Sequence, residues 1–293
     1  MAADRKRVAG PETSVAPLVE YPIDHQPWTP FTEKRHNSHR QPEDLRPIYL
    51  KTGLISEANG SAYIELEKTK LTCGVYGPRP VKRAGQGFSD RGTLNCEIKF
   101  ATFSCVKRRG TMRDAQEKEL SQILSQGLTP AVRLELFPKS NVDIYITVLE
   151  SDGWGSCVAA AFTVASVALA HAGIEMLDLV AGCSASYIPT SIPSNPTTTT
   201  STSSKSTESS TGAGSTVTPQ IFMDADLEEE KFQQGSIVLA YMPSLNQTTH
   251  VLQTGKAEGS IISQSVEHCV EACNKIFAVM NHALLESIDQ NKL

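Results

Sequence analysis

The residues best placed to do chemistry on a polyanion are a compact run of cations, Lys107, Arg108 and Arg109, with Arg113 close behind and Arg91, Lys82 and Arg83 in the preceding stretch. Gly110 and Thr111 give this run a flexible tip. Arg and Lys at such density suit sequence-independent, salt-sensitive contacts to phosphates. The alternative is a solvated surface loop, and few aromatics flank the run to stack on bases. A second charged feature is acidic: Asp224, Asp226, Glu228, Glu229 and Glu230 crowd one short stretch, which reads as a solvated acidic turn.

Other reactive side chains carry weaker signals. Cys269 and Cys273 share a helix face at four-residue spacing; a face of buried free thiols accounts for them better than a metal. The remaining cysteines are scattered, without zinc-finger spacing, and imply a reducing compartment. His171 sits at a helix end before Gly173, where a structural role is expected. Ser61 and Ser156 lack an evident His/Asp set. Gly85 and Gly87 are too short a motif for a nucleotide loop. No cofactor is implied.

These residues must be held by a domain, and the chain has the means to build one. It has 293 residues, 40% of them hydrophobic and 20% charged, enough for a sizeable core. The formal net charge of −5 gives no general attraction to nucleic acid, so any such contact has to be local. The N-terminus begins with charges and lacks a signal-peptide core. The longest apolar run, 157–170, is Ala-rich and shorter than a membrane span; a core helix is expected there, and no membrane partner.

Residues 1–45 are polar and Pro-rich and read as an irregular or disordered arm. The pattern then predicts strands over 61–67 and 70–76, joined by a tight hairpin and closed by Gly77-Pro78. Another strand is expected over 94–103. A helix over 115–128 carries Leu120, Ile123, Leu124 and Leu128 at helical spacing, with Asp114 and Glu117 as a capping box. A short helical piece follows at 131–137, then an alternating strand at 142–149. A buried helix over 158–172 stops at Gly173. Residues 178–186 read as a strand. Residues 190–218 are Ser, Thr and Pro with little else and are expected to form a disordered insertion. Strands over 236–242 and 249–254 and a long helix over 265–288 complete the chain. The expected fold class is a mixed α/β (α+β) domain over 46–290, its mixed sheets packed on helices and interrupted by the insertion.

Several blocks resemble the ribonuclease PH superfamily in order and content: Gly60-Ser-Ala-Tyr-Ile-Glu with Val75-Tyr-Gly-Pro-Arg79; Arg91-Gly-Thr-Leu-Asn; Pro130-Ala-Val through Val142-Asp-Ile; Leu169-Ala-His-Ala-Gly-Ile with Asp178-Leu-Val; and Asp224 to Glu230 with Met242-Pro. Arg46-Pro-Ile-Tyr and Leu227-Glu-Glu-Glu are similar to the family's eukaryotic exosome ring subunits in particular. The resemblance implies a six-membered ring of ribonuclease PH-like subunits, RNA-binding cap subunits, associated hydrolytic exoribonucleases, and RNA threaded through a central pore. It also implies work in nucleus, nucleolus and cytoplasm. The basic loop would face the RNA path.

Active members of the family split RNA with phosphate, using a Thr-Arg pair at the start of the buried helix to balance phosphoryl charge. Here that stretch is Asp152-Gly-Trp-Gly-Ser-Cys-Val158, and no Arg occurs anywhere after Arg133. The family also places two Asp six residues apart to hold a metal or act as acid; Asp224 and Glu230 occupy those positions and are expected to be vestigial. A helix N-terminus with Gly amides still attracts an anion weakly. The resemblance therefore implies a non-catalytic ring subunit with no metal; the alternative is an active phosphorolytic 3′-exoribonuclease.

Overall fold

The computed structural model describes residues 35, 40–80, 90–189 and 219–290. Two sheets hold a central helix between them. The first is made of β1 (Ile48–Thr52), β2 (Gly60–Leu66), β3 (Thr69–Pro80), β4 (Thr93–Phe100) and β5 (Ser140–Glu150), in the order β1-β2-β3-β5-β4. The second is made of β6 (Ala181–Pro189), β7 (Pro219–Met223), β8 (Gly235–Met242) and β9 (Gln247–Gly255), in the order β7-β6-β8-β9. All pairings are antiparallel except β4 with β5. The helices are α1 (Ala115–Leu128), α2 (Trp154–His171), the single turn α3 (Leu227–Glu230) and α4 (Gly259–Gln290). This is the expected mixed α+β domain.

Alternation of side chains builds the first sheet's inner face. Leu71, Cys73 and Val75 of β3 and Val142, Ile144, Ile146 and Val148 of β5 point inward and are buried, as a period of two requires. The helix α2 lies against this face and against β6 and β8. It is buried almost all round, which explains why its sequence shows no polar stripe. By length and composition it could cross a membrane, but 83% of it is buried inside the protein. Small residues let the layers close up. Gly182 of β6 lies where a Cβ would meet the Ala159 carbonyl oxygen at 2.2 Å, and Gly60 of β2 where one would meet that of Ala168 at 2.4 Å.

Several expected boundaries move. The strand β3 does not stop at Gly77-Pro78; after an irregularity between Tyr76 and Arg79 it pairs on to Pro80. The helix α2 begins at Trp154 rather than 158, because Gly153, at φ +110°, supplies a turn that other residues rarely adopt. The helix α4 starts six residues before the expected 265. In place of the short helical piece expected at 131–137, two separate 3-10 turns stand at Thr129–Ala131 and Leu134–Leu136. Neither β1 nor α3 is visible in the sequence pattern. The expected helix α1 is found over its full span, with the Asp114–Glu117 capping box in place. The boundary drawn at 46 falls inside a packed segment: Arg35 and Arg46 are buried, and Arg40 and Asp44 are bonded to their surroundings. Residues 1–34 and the Ser/Thr-rich stretch 190–218 lie outside the described residues.

Candidate functional site

The acidic stretch is not a solvated turn. Asp224 follows β7, and the chain turns there at φ +51° to bring Asp226 to the start of α3. Asp224, Asp226 and Glu229 are buried, whereas Glu228 is exposed and pairs with Lys231. Carboxylates are buried only when partnered, and arginines from the N-terminal segment supply the partners.

Arg46, whose side chain is fully buried, donates from Nε and from its terminal nitrogen to the two Asp224 oxygens, both at 2.9 Å. It also lies 3.5 Å from an Asp152 carboxylate oxygen and donates to the Asp152 carbonyl. Such a planar fork is the strong form of a charged hydrogen bond. Burial alone would raise the Asp224 pKa; the Arg46 guanidinium outweighs that and holds it below the ordinary carboxylate value. The same carboxylates hold Arg46 charged, against the cost of its burial. Arg35 makes a second fork to Glu229, at 3.0 and 3.1 Å, and lies over the Phe222 ring. Arg40 contacts Asp226 at 3.3 Å.

Glu230 does something different. Its carboxylate accepts hydrogen bonds from the Trp154 and Gly155 amides at 2.8 and 2.9 Å, the first turn of α2. These are amides that no intrahelical carbonyl can satisfy, at the positive end of the helix dipole. A Cβ on Gly153 would stand 2.8 Å from the Ala225 carbonyl oxygen and 3.1 Å from Glu230 Oε1, so glycine there lets the acidic turn reach the helix start. Desolvation raises the Glu230 pKa despite those two amide bonds. The anion seat expected at this helix start is thus occupied by the chain's own carboxylate. No Thr-Arg pair stands beside it, and Arg46 is committed to Asp224.

The other sequence-derived candidates separate into two groups. Arg109 lies over the Phe100 ring at 4.1 Å and donates to Cys105 Sγ and Gln116 Oε1. Arg113 bonds Glu97 and Ser121, and Arg91 pairs with Glu135 at the surface. Lys107 and Arg108 make no ion pair with a described residue and sit on a loop whose Phe103, Val106 and Met112 are exposed. Lys82, Arg83, Gly85 and Gly87 lie outside the described residues. His171 Nδ1 accepts the Ser61 amide, a structural role. All seven cysteines are free thiols; Cys269 and Cys273 are buried, and Cys273 bonds the Ala181 carbonyl. Burial pushes Cys157 up to about 12, so it is no nucleophile near neutrality. Sequence reasoning missed Arg35, Arg40 and Arg46 as site residues. The only available signal was that the acidic stretch had too many carboxylates and too few nearby cations.

Fold and site together define a mixed α+β domain in which two sheets enclose a buried helix and an acidic turn folds onto that helix's start. Residues 44–175 match the 3′ exoribonuclease family, domain 1, and the chain belongs to this ribonuclease PH family. Along 97% of its length it is 36% identical to the exosome complex component mtr3 of Schizosaccharomyces pombe, covering 96% of that protein. Along 98% it is 33% identical to the exosome complex component MTR3 of Homo sapiens, again covering 96%. The crystal structure of rice (Oryza sativa) Rrp46 shares the fold, with a TM-score of 0.64 at 20% identity over 84% of this chain and 98% of that one.

Proposed function

We propose that the chain is a non-catalytic subunit of the RNA exosome core ring that helps form the channel for 3′-to-5′ RNA processing and decay. Its partners on this reading are other ribonuclease PH-like ring subunits, RNA-binding cap subunits, hydrolytic exoribonucleases and RNA, in nucleus, nucleolus and cytoplasm. Near full-length similarity to named exosome components supports the assembly. The observation that carries the lack of chemistry is the Glu230 carboxylate on the Trp154 and Gly155 amides. Phosphorolysis needs an inorganic anion gripped beside the scissile phosphate, and charge balance for both. Here one anion seat is filled from within, and the Asp224 carboxylate is neutralised by a buried guanidinium. Incubating the purified chain with oligo(A) and phosphate should release no nucleoside diphosphate. Release that is lost on Asp224→Asn substitution would establish the phosphorolytic enzyme instead.

RNA contact is assigned to Lys107 and Arg108, with Arg109, Arg113 and Arg91 placed alongside but tied to protein partners. Phosphate contacts of this kind act independently of sequence and weaken with salt. The double change Lys107→Ala and Arg108→Ala should weaken RNA retention by a reconstituted ring and flatten its salt dependence, leaving the melting temperature unchanged. Arg109→Ala should lower the melting temperature instead, since its guanidinium packs on Phe100. Retention that is indifferent to the double change would remove the loop from the RNA path.

A further inference from the structure

The alternation that turns Leu50, Ile64, Val75 and Ile144 inward turns their neighbours to the outer face of the first sheet, away from α2. Four of the chain's seven tyrosines lie there: Tyr49, Tyr63, Tyr76 and Tyr145. They stand edge-to-face in two pairs, Tyr49 with Tyr63 at 6.5 Å between ring centres and Tyr76 with Tyr145 at 5.8 Å. The surroundings of the two pairs differ. Tyr63 donates to Glu65, and Lys70 is shared between Glu65 and Glu150, so charge at the first pair is balanced from within.

The second pair is flanked by cations. Arg79 lies over the Tyr76 ring at 5.2 Å and is exposed. Lys99 on β4 stands opposite Thr147, one outward position along β5 from Tyr145, and is also exposed. Neither makes an ion pair with a described residue. The carboxylates on this part of the face are already bonded: Glu97, opposite Tyr145, to Arg113 at 3.3 Å, and Asp143, opposite Tyr76, to the Asn95 side-chain amide at 3.0 Å. Tyr145 is 46% exposed. Lys99, Tyr145, Tyr76 and Arg79 thus run obliquely across three neighbouring strands, from the Thr147 row to the Asn141 row, about 20 Å at about 3.3 Å per residue. The basic loop joins this line, because Arg113 at the loop's end is the residue that holds Glu97 beside Tyr145.

We propose that this line is a further contact for single-stranded RNA: an unpaired base stacks on the Tyr145 ring while Lys99 and Arg79 take flanking phosphates. Every base offers a face to an aromatic ring once it is unpaired, and interleaved cations track the backbone. The line lengthens the path given to Lys107 and Arg108 and rests on the same reading of the chain as an RNA-threading subunit. A protein surface could also meet these rings, but two cations without partners, beside acids that have theirs, suit a polyanion.

The test is photo-cross-linking of the reconstituted ring to single-stranded RNA carrying 5-iodouridine, which couples to stacked aromatic rings. The adduct is expected on Tyr145. Tyr145→Leu keeps an apolar side chain on the sheet without the ring. It should abolish the adduct and weaken retention about fivefold or more, the lower end of base–aromatic stacking, at an unchanged melting temperature. Tyr145→Phe should bind like the parent, and Lys99→Gln with Arg79→Gln should flatten the salt dependence. If these changes are without effect while Lys107→Ala with Arg108→Ala weakens retention, the line is no RNA contact and the loop stands. An adduct on Tyr145 with an indifferent loop supports the line and removes the loop; a ring that retains no RNA removes both. Tyr145 shielded from chemical iodination by ring assembly alone, without RNA, would give the face to a protein neighbour and overturn the assignment.

Discussion

Replacing Arg46 by methionine is expected to lower stability by about 3–5 kcal/mol, the usual result of stranding one partner of a buried ion pair. For a domain of this size that is a fall in melting temperature on the order of 10 °C. The side chain is fully buried and its fork satisfies both oxygens of a carboxylate that is itself only 8% exposed. Methionine would fill the volume but leave Asp224 charged and unmatched, together with the Asp152 carbonyl that Arg46 now serves. Lysine should recover little, because a point charge on a flexible stem cannot reproduce the fork. Pairing Arg46→Met with Asp224→Asn should recover part of the loss, since the stranded charge goes with it. A denaturant titration of the two single variants and the double variant measures this coupling. A double variant no more stable than Arg46→Met would mean that Arg46 acts through packing alone.

The same pair sets an acid limb. The folded pKa of Asp224 lies below its ordinary 3.8. Its contribution is therefore fully present above that value and is lost as pH falls through the depressed one. Glu230 runs the other way. Its folded pKa is above 4.5, so its protonation favours the folded state, an advantage that fades as pH rises through the raised value. Arg46→Met should therefore flatten the Asp224 limb below 3.8 and, because the Arg46 charge also lowers the Glu230 pKa, move the Glu230 limb to higher pH; a stability–pH profile separates the two.

How much of this the sequence could show depends on the range of the interaction. The helix α1 is legible because its apolar spacing and capping box are local, and β2, β3 and β5 because alternation records one buried face. The strand β1, Ile48-Tyr-Leu-Lys-Thr, is missed: it is a short edge strand with only Leu50 buried, and its identity lies in its pairing with β2. The arginine forks are missed for the same reason at longer range. Arg46 and Asp224 stand 178 positions apart, and Arg35 and Glu229 stand 194 apart. No composition or period connects them. A dense run of carboxylates reads as solvated when its counter-ions come from the other end of the chain. The absent Thr-Arg pair was visible in the sequence; that the Glu230 carboxylate fills the seat was not, because α2 starts four residues earlier than its apolar pattern suggests.

The position of that helix start is itself testable, through two close backbone contacts on α2. Gly182 on β6 and Gly60 on β2 grip α2 from opposite sheets, and what a Cβ would strike at each is backbone: the Ala159 carbonyl at 2.2 Å, and the Ala168 carbonyl and Ala172 amide nitrogen at 2.4 Å. A flexible side chain could swing aside, whereas a helix backbone can only move as a body. Gly182→Val is therefore expected to cost about 3 kcal/mol or more, at or above the upper end of overpacking effects. Because β6 would push on the first half of α2, the Trp154 and Gly155 amides should shift away from Glu230 before the rest of the fold is affected. Trp154 reports this directly: the chain has two tryptophans, and with Trp28→Phe its emission is the only one left. Gly110→Ala is the matched control, since no atom lies within 4 Å of an added Cβ there, and it should change neither melting temperature nor emission. If Gly182→Val melts like the parent with unaltered Trp154 emission, α2 is not held by this contact, and the seating of Glu230 on its amides must have another cause.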